Sequence, residues 1–135
     1  MPLIAWDQGF SVGVGSIDEQ HKKLIGLLND LHDAMRFGKG RDVLGKVLAE
    51  LIDYTAYHFR TEEGLFAKYG YPEHAAHERE HRDLTRQAME LKERFERGDT
   101  AITIDVMNFL KDWLNDHILG SDKRYGPFLA GKGVQ

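Results

Sequence analysis

A chain of 135 residues is long enough for one domain with a real core and too short for two ordinary ones. With 41% apolar and 30% charged residues, a formal charge of -4 and a pI near 5.9, it reads as a soluble globular protein; it has neither a run long enough to span a membrane nor the basic stripe that nucleic acid requires. The absence of cysteine excludes disulfides, iron-sulfur clusters and cysteine-based zinc sites, and the first residues lack a secretory pattern, so the expected compartment is the cytoplasm.

The first fifteen residues, which include Trp6 and Phe10, are expected to form an arm. Ser16 to Glu19 has the S-x-x-E form of a capping box, and the seam Ile17, His21, Leu24, Leu28, Leu31, Met35 then repeats at steps of four and three. This predicts a first helix from about 18 to 37, stopped by the glycines of Phe37 to Arg41. A second helix carries Leu44, Leu48, Leu51, Thr55, His58, Glu62, Leu65 and Tyr69 on one stripe and ends at Gly70 and Pro72. Pro72 suits the first turn of a third helix with His77, His81, Leu84, Ala88, Leu91 and Phe95 on its seam, closed by Gly98. A fourth aligns Val106, Leu110, Trp113 and His117, with Gly120 as its end. Residues 120–135 read as an irregular tail. Short polar turns between such helices favour an all-α, up-down-up-down antiparallel four-helix bundle over residues 16–119, in one domain with its arm and tail.

A core seam should be apolar, because a buried imidazole or carboxylate without partners costs several kcal/mol. Here the seams are interrupted by His21 near the start of the first helix and by His58 and Glu62 toward the end of the second. His77 and His81 interrupt the start of the third, and His117 the end of the fourth. In an alternating bundle those four places share one end of the molecule, so the six side chains converge. His58 with Glu62, and His77 with His81, stand at i and i+4 and each pair points in one direction. Asp122 follows His117 by five residues, so the chain is expected to leave regular helix near Gly120 and turn this carboxylate inward. His32 and His74 lie off the stripes and are assigned to the surface; Glu63 and Asp116 point away from the neighbouring candidates, toward solvent or a supporting position.

Imidazole and carboxylate ligands without sulfur suit iron, manganese or zinc, and these are too many for one tetrahedral ion, so two metals are indicated. If both ions are six-coordinate, both carboxylates bridge and one water-derived oxygen bridges, the five imidazoles leave a single position open. A redox-capable pair with one open position is what reversible binding of a small diatomic ligand requires.

The stretches Ile17-Asp18-Glu19-Gln20-His21, His58-Phe59-x-x-Glu62-Glu63, His77-x-x-x-His81 and Trp113-Leu114-x-x-His117-Ile118-x-x-x-Asp122 resemble the motifs of the hemerythrin family, in particular its single-domain bacterial members. The likeness runs from Trp6 to Leu129. It implies two iron ions per chain joined by an oxo or hydroxo bridge. His77, His81 and His117 would hold one, His21 and His58 the other, with Glu62 and Asp122 bridging. It further implies reversible O2 binding on the two-histidine iron, inside an apolar pocket of Trp6, Leu24, Phe59, Trp113, Leu114 and Ile118. Carriage, storage or delivery of O2 is the leading reading, with an O2-consuming enzyme as recipient and a monomer as the expected state. A di-iron enzyme acting on O2, peroxide or nitric oxide is the alternative, and an O2 sensor a third reading.

Overall fold

The computed structural model of the chain describes residues 4–38, 41–98 and 104–135, with the side chains of 41 and 104–106 outside the description. It is an antiparallel four-helix bundle with an N-terminal arm, and no strand occurs among the described residues. The helices are α1 (Gly15–Arg36), α2 (Arg41–Tyr69), α3 (His74–Glu96) and α4 (Ile104–Asp116). Helix α1 packs on α2, α2 on α3, and α4 closes against α1. Among the described residues no helix is long and apolar enough to cross a membrane.

The seams become the core. Ile17, Leu24, Leu28 and Leu31 of α1, Leu48 and Leu51 of α2, Phe95 of α3 and Leu110 of α4 are buried, each contributing about 1.5–3 kcal/mol of transfer free energy. Leu44, Met35, Ala88, Leu91 and Trp113 are half-buried against them. Toward the end of α2 the buried face turns from Leu65 and Tyr69 to Phe66. Lys39, Gly40 and the Val106 side chain, which belong to the expected first stop and fourth seam, lie outside the described residues. Gly70 ends α2 at φ 70, and the Gly70 and Tyr71 amides both return to the Phe66 carbonyl, at 2.8 and 3.2 Å. Pro72 stands in the turn that follows rather than in the first turn of α3.

Two local expectations are corrected. Helix α1 begins at Gly15 after Val14 with no side-chain cap, so Ser16 and Glu19 form no capping box. Asp18 is used instead to tie down the arm, accepting from Ser11 Oγ at 2.6 Å and from the Val12 amide at 2.9 Å. The tail is not irregular. After α4 the chain continues through a π-helical turn, His117–Asp122, into a fifth helix, α5 (Lys123–Gly131). Gly120 and Pro127 disguised this, but Pro127 falls four residues after Lys123, so the amide it lacks would have bonded a carbonyl at the junction of the two segments.

Helix α5 closes the end of the bundle where the polar seam residues lie. Tyr125 and Leu129, one turn apart, are fully buried in a second apolar cluster with Val12 and Val14 of the arm, Ile17 and Phe66. The arm is held further by paired hydrogen bonds between the Ile4 backbone and the Asn29 side chain, at 3.0 and 2.8 Å. Lys123 Nζ also donates to the Gly9 carbonyl at 2.8 Å.

Where arm and α5 cross, Gly126 is buried with its α-carbon against the Val12 carbonyl, and any β-carbon there would overlap that oxygen. Gly126→Ala should therefore destabilise the fold by about 1–3 kcal/mol. Gly26→Ala, inside α1 with nothing within 4 Å, should instead add about 0.5–1 kcal/mol. Thermal unfolding of the two variants checks the contrast.

Candidate metal centre

The alternating helix directions bring His21, His58, Glu62, His77, His81, His117 and Asp122 together at one end of the bundle. All seven are buried, none more than 5% exposed. They form two groups whose candidate ligand atoms lie within 4.8 Å of one another: Glu62, His77, His81, His117 and Asp122 in one, and His21, His58, Glu62 and Asp122 in the other. Both carboxylates belong to both groups. Nε2 of His21 is 2.8 Å from Asp122 Oδ2, and Nε2 of His77 and His117 are 3.0 and 3.1 Å from Oδ1. Nε2 of His58 and His81 stand 3.1 and 3.2 Å from Glu62 Oε1, and His77 Nε2 is 3.9 Å from Oε2.

These approaches are short but not aligned for hydrogen bonding. Nε2 of all five histidines and both oxygens of each carboxylate have no hydrogen-bond partner among the described residues. Buried polar atoms are nearly always satisfied, and here nine unsatisfied ones surround a common space. The donor set therefore fits metal: the lone pairs converge on points between the groups rather than on one another.

The opposite edges of three rings are engaged. His58 Nδ1 donates to Gln20 Oε1 at 2.6 Å, His81 Nδ1 to Glu63 at 3.3 Å and His117 Nδ1 to Glu80 at 2.7 Å. Ser121 Oγ also donates to Glu80, at 2.6–2.7 Å. A carboxylate can only accept, so it fixes the proton on Nδ1 and leaves Nε2 free to bind a cation.

The profile of the family described as the Hemerythrin HHE cation binding domain matches residues 12–129. The chain belongs to the hemerythrin family. It is 40% identical over 131 residues to the bacteriohemerythrin of Methylococcus capsulatus, covering 96% of this chain and 99% of that protein. It is 39% identical over 120 residues to a hemerythrin-like protein of Naegleria gruberi, covering 89% and 88%. Among solved structures, a wild-type hemerythrin crystal structure superposes with a TM-score of 0.88 at 40% identity, covering 93% of this chain and 96% of that one. A leucine-to-alanine mutant of hemerythrin gives 0.90 at 39%.

In this hemerythrin the local backbone explains the reach of Asp122. Five residues turn a side chain about 140° away round an α-helix. The chain does not leave the helix to correct this, as the sequence reading expected; it widens into the π-helical turn, with the Lys123 amide bonded to the Ile118 carbonyl. His117 and Asp122 then face the same space.

The residues nominated for the pocket divide. Phe59 stacks on His81 with ring centres 3.8 Å apart and 7° between planes, and presents an edge to His117 at 5.5 Å. Leu24, Leu114 and Ile118 are buried in the main core, and Trp113 is half-buried beside it, 6.4 Å from Phe59. Trp6 is half-buried on the arm, stacked on Phe10 at 5.7 Å beneath the Lys22 ammonium. Asp116 and His74 are exposed, His74 lying 3.6 Å from Glu78. His32 is not at the surface as expected but half-buried, with Nδ1 unpartnered among the described residues. Sequence reasoning did not assign Gln20, Glu80, Ser121 or Tyr125, although each lies within three residues of a candidate ligand.

The carboxylates also set the protonation of the metal-free centre. Burial and the Asp122 charge would raise the Glu62 carboxyl, but nearby His58 and His81 bring it down to about 2. Burial opposes the same trend at Asp122, yet His117, His21 and His77 hold it well below its usual range. Burial would lower the His117 imidazole; Asp122, then Glu80, push it up to about 10. Glu80 is lowered to about 2, chiefly by the hydrogen bond from His117. Without metal, protons on imidazole supply the positive charge the carboxylates demand.

A raised histidine stabilises the fold fully below its unfolded value of 6.5 and loses that contribution as pH rises through about 10. The lowered Glu80 contributes above its unfolded value of 4.5 and loses this as pH falls through about 2. The metal-free chain should therefore be most stable between pH 4.5 and 6.5 and weaken toward pH 10, as denaturant midpoints across the range would report. Separately, Glu80→Ala should lower metal affinity by about 10–100-fold through loss of the His117 anchor, measurable by competition with a chelator.

Proposed function

We propose that the chain binds O2 reversibly at a pair of iron ions, as a carrier, store or delivery protein. His77, His81 and His117 would hold one iron and His21 and His58 the other, with Glu62 and Asp122 spanning both. The observation that carries this reading is the overlap of the two groups in their carboxylates alone, which divides the imidazoles three and two. When bound, an iron pair supplies the electrons that hold O2 and recovers them on release.

The protein's own part is to position, to exclude water and to manage charge. Glu80, Glu63 and Gln20 orient rings from behind. Leu24, Phe59, Leu114 and Ile118 are buried, and as the apolar wall of the site they would keep water and stray protons from the bound ligand. Five neutral imidazoles and two carboxylates bring less negative charge than the glutamate-rich sites of ferritin-like di-iron oxygenases, and this supports binding over O2 activation. Nitric oxide suits the same place by size. A monomer in the cytoplasm, passing O2 to an O2-consuming enzyme, is the cellular setting that accords with this reading.

Absorption spectra through repeated oxygenation and deoxygenation test it. The expected result is a visible ligand-to-iron band that returns undiminished in each cycle; rapid conversion to a permanently oxidised form with substrate turnover would count for an enzyme instead. His77→Ala should lose iron and melt at a lower temperature than the iron-loaded wild type, because the stability linked to binding goes with the metal. Unchanged iron content in that variant would contradict the ligand assignment.

A further inference from the structure

Behind the three-histidine group stands a line of aromatic rings that metal binding does not require. Tyr125 is fully buried, its ring centre 5.5 Å from that of His77. Its hydroxyl makes no well-aligned hydrogen bond among the described residues but lies near Glu62, and the charges acting on it are chiefly those of Glu62 and Asp122. A phenylalanine would fill the same space without burying a hydroxyl beside a carboxylate, so packing alone does not account for the tyrosine.

The next ring outward is Tyr71, 6.3 Å from Tyr125 centre to centre, with Phe66 filling the angle between them at 4.9 and 5.3 Å. Tyr71 is 5% exposed, but its hydroxyl donates to the carboxylate of exposed Glu73 at 3.0 Å. It also borders a cleft of about 50 Å³ that it shares with Glu73, His77, Glu80 and Arg124.

The two phenols differ in one chemical respect. A phenol gives up an electron readily only if its proton leaves in the same event, because the radical cation is strongly acidic. Tyr71 has a proton acceptor in place, and that acceptor is in contact with water. Tyr125 has only the two carboxylates assigned to metal. As Tyr125 loses an electron its proton can only shift onto Glu62, and it returns when Tyr71 supplies an electron in its turn, so the vacancy is passed on from Tyr125 and settles at Tyr71.

We propose that Tyr125 and Tyr71 form a two-step route by which one-electron oxidising equivalents, produced when hydrogen peroxide meets the iron pair, leave the buried centre for the surface. The proposal rests on the di-iron reading. Reduction of one hydrogen peroxide to two waters breaks the O–O bond and consumes two electrons and two protons. Each passage draws one electron from Tyr71 through Tyr125. The Tyr71 O–H bond breaks, its proton passing to Glu73 and on to solvent, while solvent returns one proton to the peroxide oxygen. A small surface reductant such as ascorbate restores the phenol with one electron and one proton, and two passages balance one peroxide. The ligand histidines are thereby spared oxidation.

The test treats the iron-loaded chain with stoichiometric hydrogen peroxide, without reductant, and follows it by freeze-quench electron paramagnetic resonance and peptide mass mapping. The expected result is a tyrosyl radical and hydroxylation or cross-linking at Tyr71, in preference to Tyr57, which is 49% exposed and would be the first target of freely diffusing oxidant. Tyr125→Phe should reduce the Tyr71 modification several-fold. Tyr71→Phe, which keeps its ring, should retain iron and move the damage to Tyr125 and His77. If Tyr125→Phe does not hold iron, the wild type and Tyr71→Phe decide the matter by themselves. Modification of Tyr57 ahead of Tyr71, Tyr71 modification undiminished in iron-loaded Tyr125→Phe, or equal modification of the metal-free chain would overturn the proposal. Iron analysis before treatment separates the two failures: a chain that takes up no iron defeats the di-iron reading, whereas a fully loaded chain with Tyr71 untouched defeats only the tyrosine route.

Discussion

Two carboxylates lie at one end of this bundle with no access to water, Glu62 and Asp122 both fully buried. An uncompensated buried anion is among the costliest things a fold can contain. Five imidazoles are drawn from four successive helical stretches to meet these two, and none of the nine inward-facing atoms is satisfied by another. The bundle supplies rigidity and convergence; the charge balance it leaves open is the demand for a cation. That demand explains why polar residues occupy seam positions where leucine would pack better.

The layer behind the convergent histidines makes the arrangement specific. Glu80 receives both His117 and Ser121, so it fixes a ring on one side and a segment of the π-helical turn on the other. The turn in turn sets Asp122, one of the two carboxylates common to both groups. Fold and site are coupled at this point: the widened helix that aims Asp122 also leads into α5, which buries Tyr125 and Leu129 and seats the arm over the same end. A local departure from α-helical geometry thus both brings Asp122 among the histidines and closes the end of the bundle.

Much of this was legible in the sequence because the signals were periodic. The four seams followed from apolar spacing, and His21, His58, Glu62, His77, His81 and His117 stood out as polar residues where the period called for apolar ones. Asp122 was legible as a partner but not by the path it takes, since Gly120 and Pro127 are ordinary helix-ending signals and nothing local announces that the helix will widen instead of stopping. The capping box failed because the helix starts at Gly15, which puts Ser16 inside the first turn rather than at the cap. Glu63 was read as either solvated or supporting and proves to be supporting, but Gln20 and Glu80 were hidden for a different reason. Off the seam, polar residues are expected everywhere, so a glutamate that braces a histidine looks like any solvated one.

The central claim is that the convergent side chains enclose two metal ions rather than one or none. Anomalous diffraction at the iron edge from crystals of the iron-loaded chain tests it most directly. Two peaks are predicted: one within bonding distance of Nε2 of His77, His81 and His117, the other of His21 and His58, and both in contact with Glu62 and Asp122. A lone peak, or iron bound away from these residues, would contradict it.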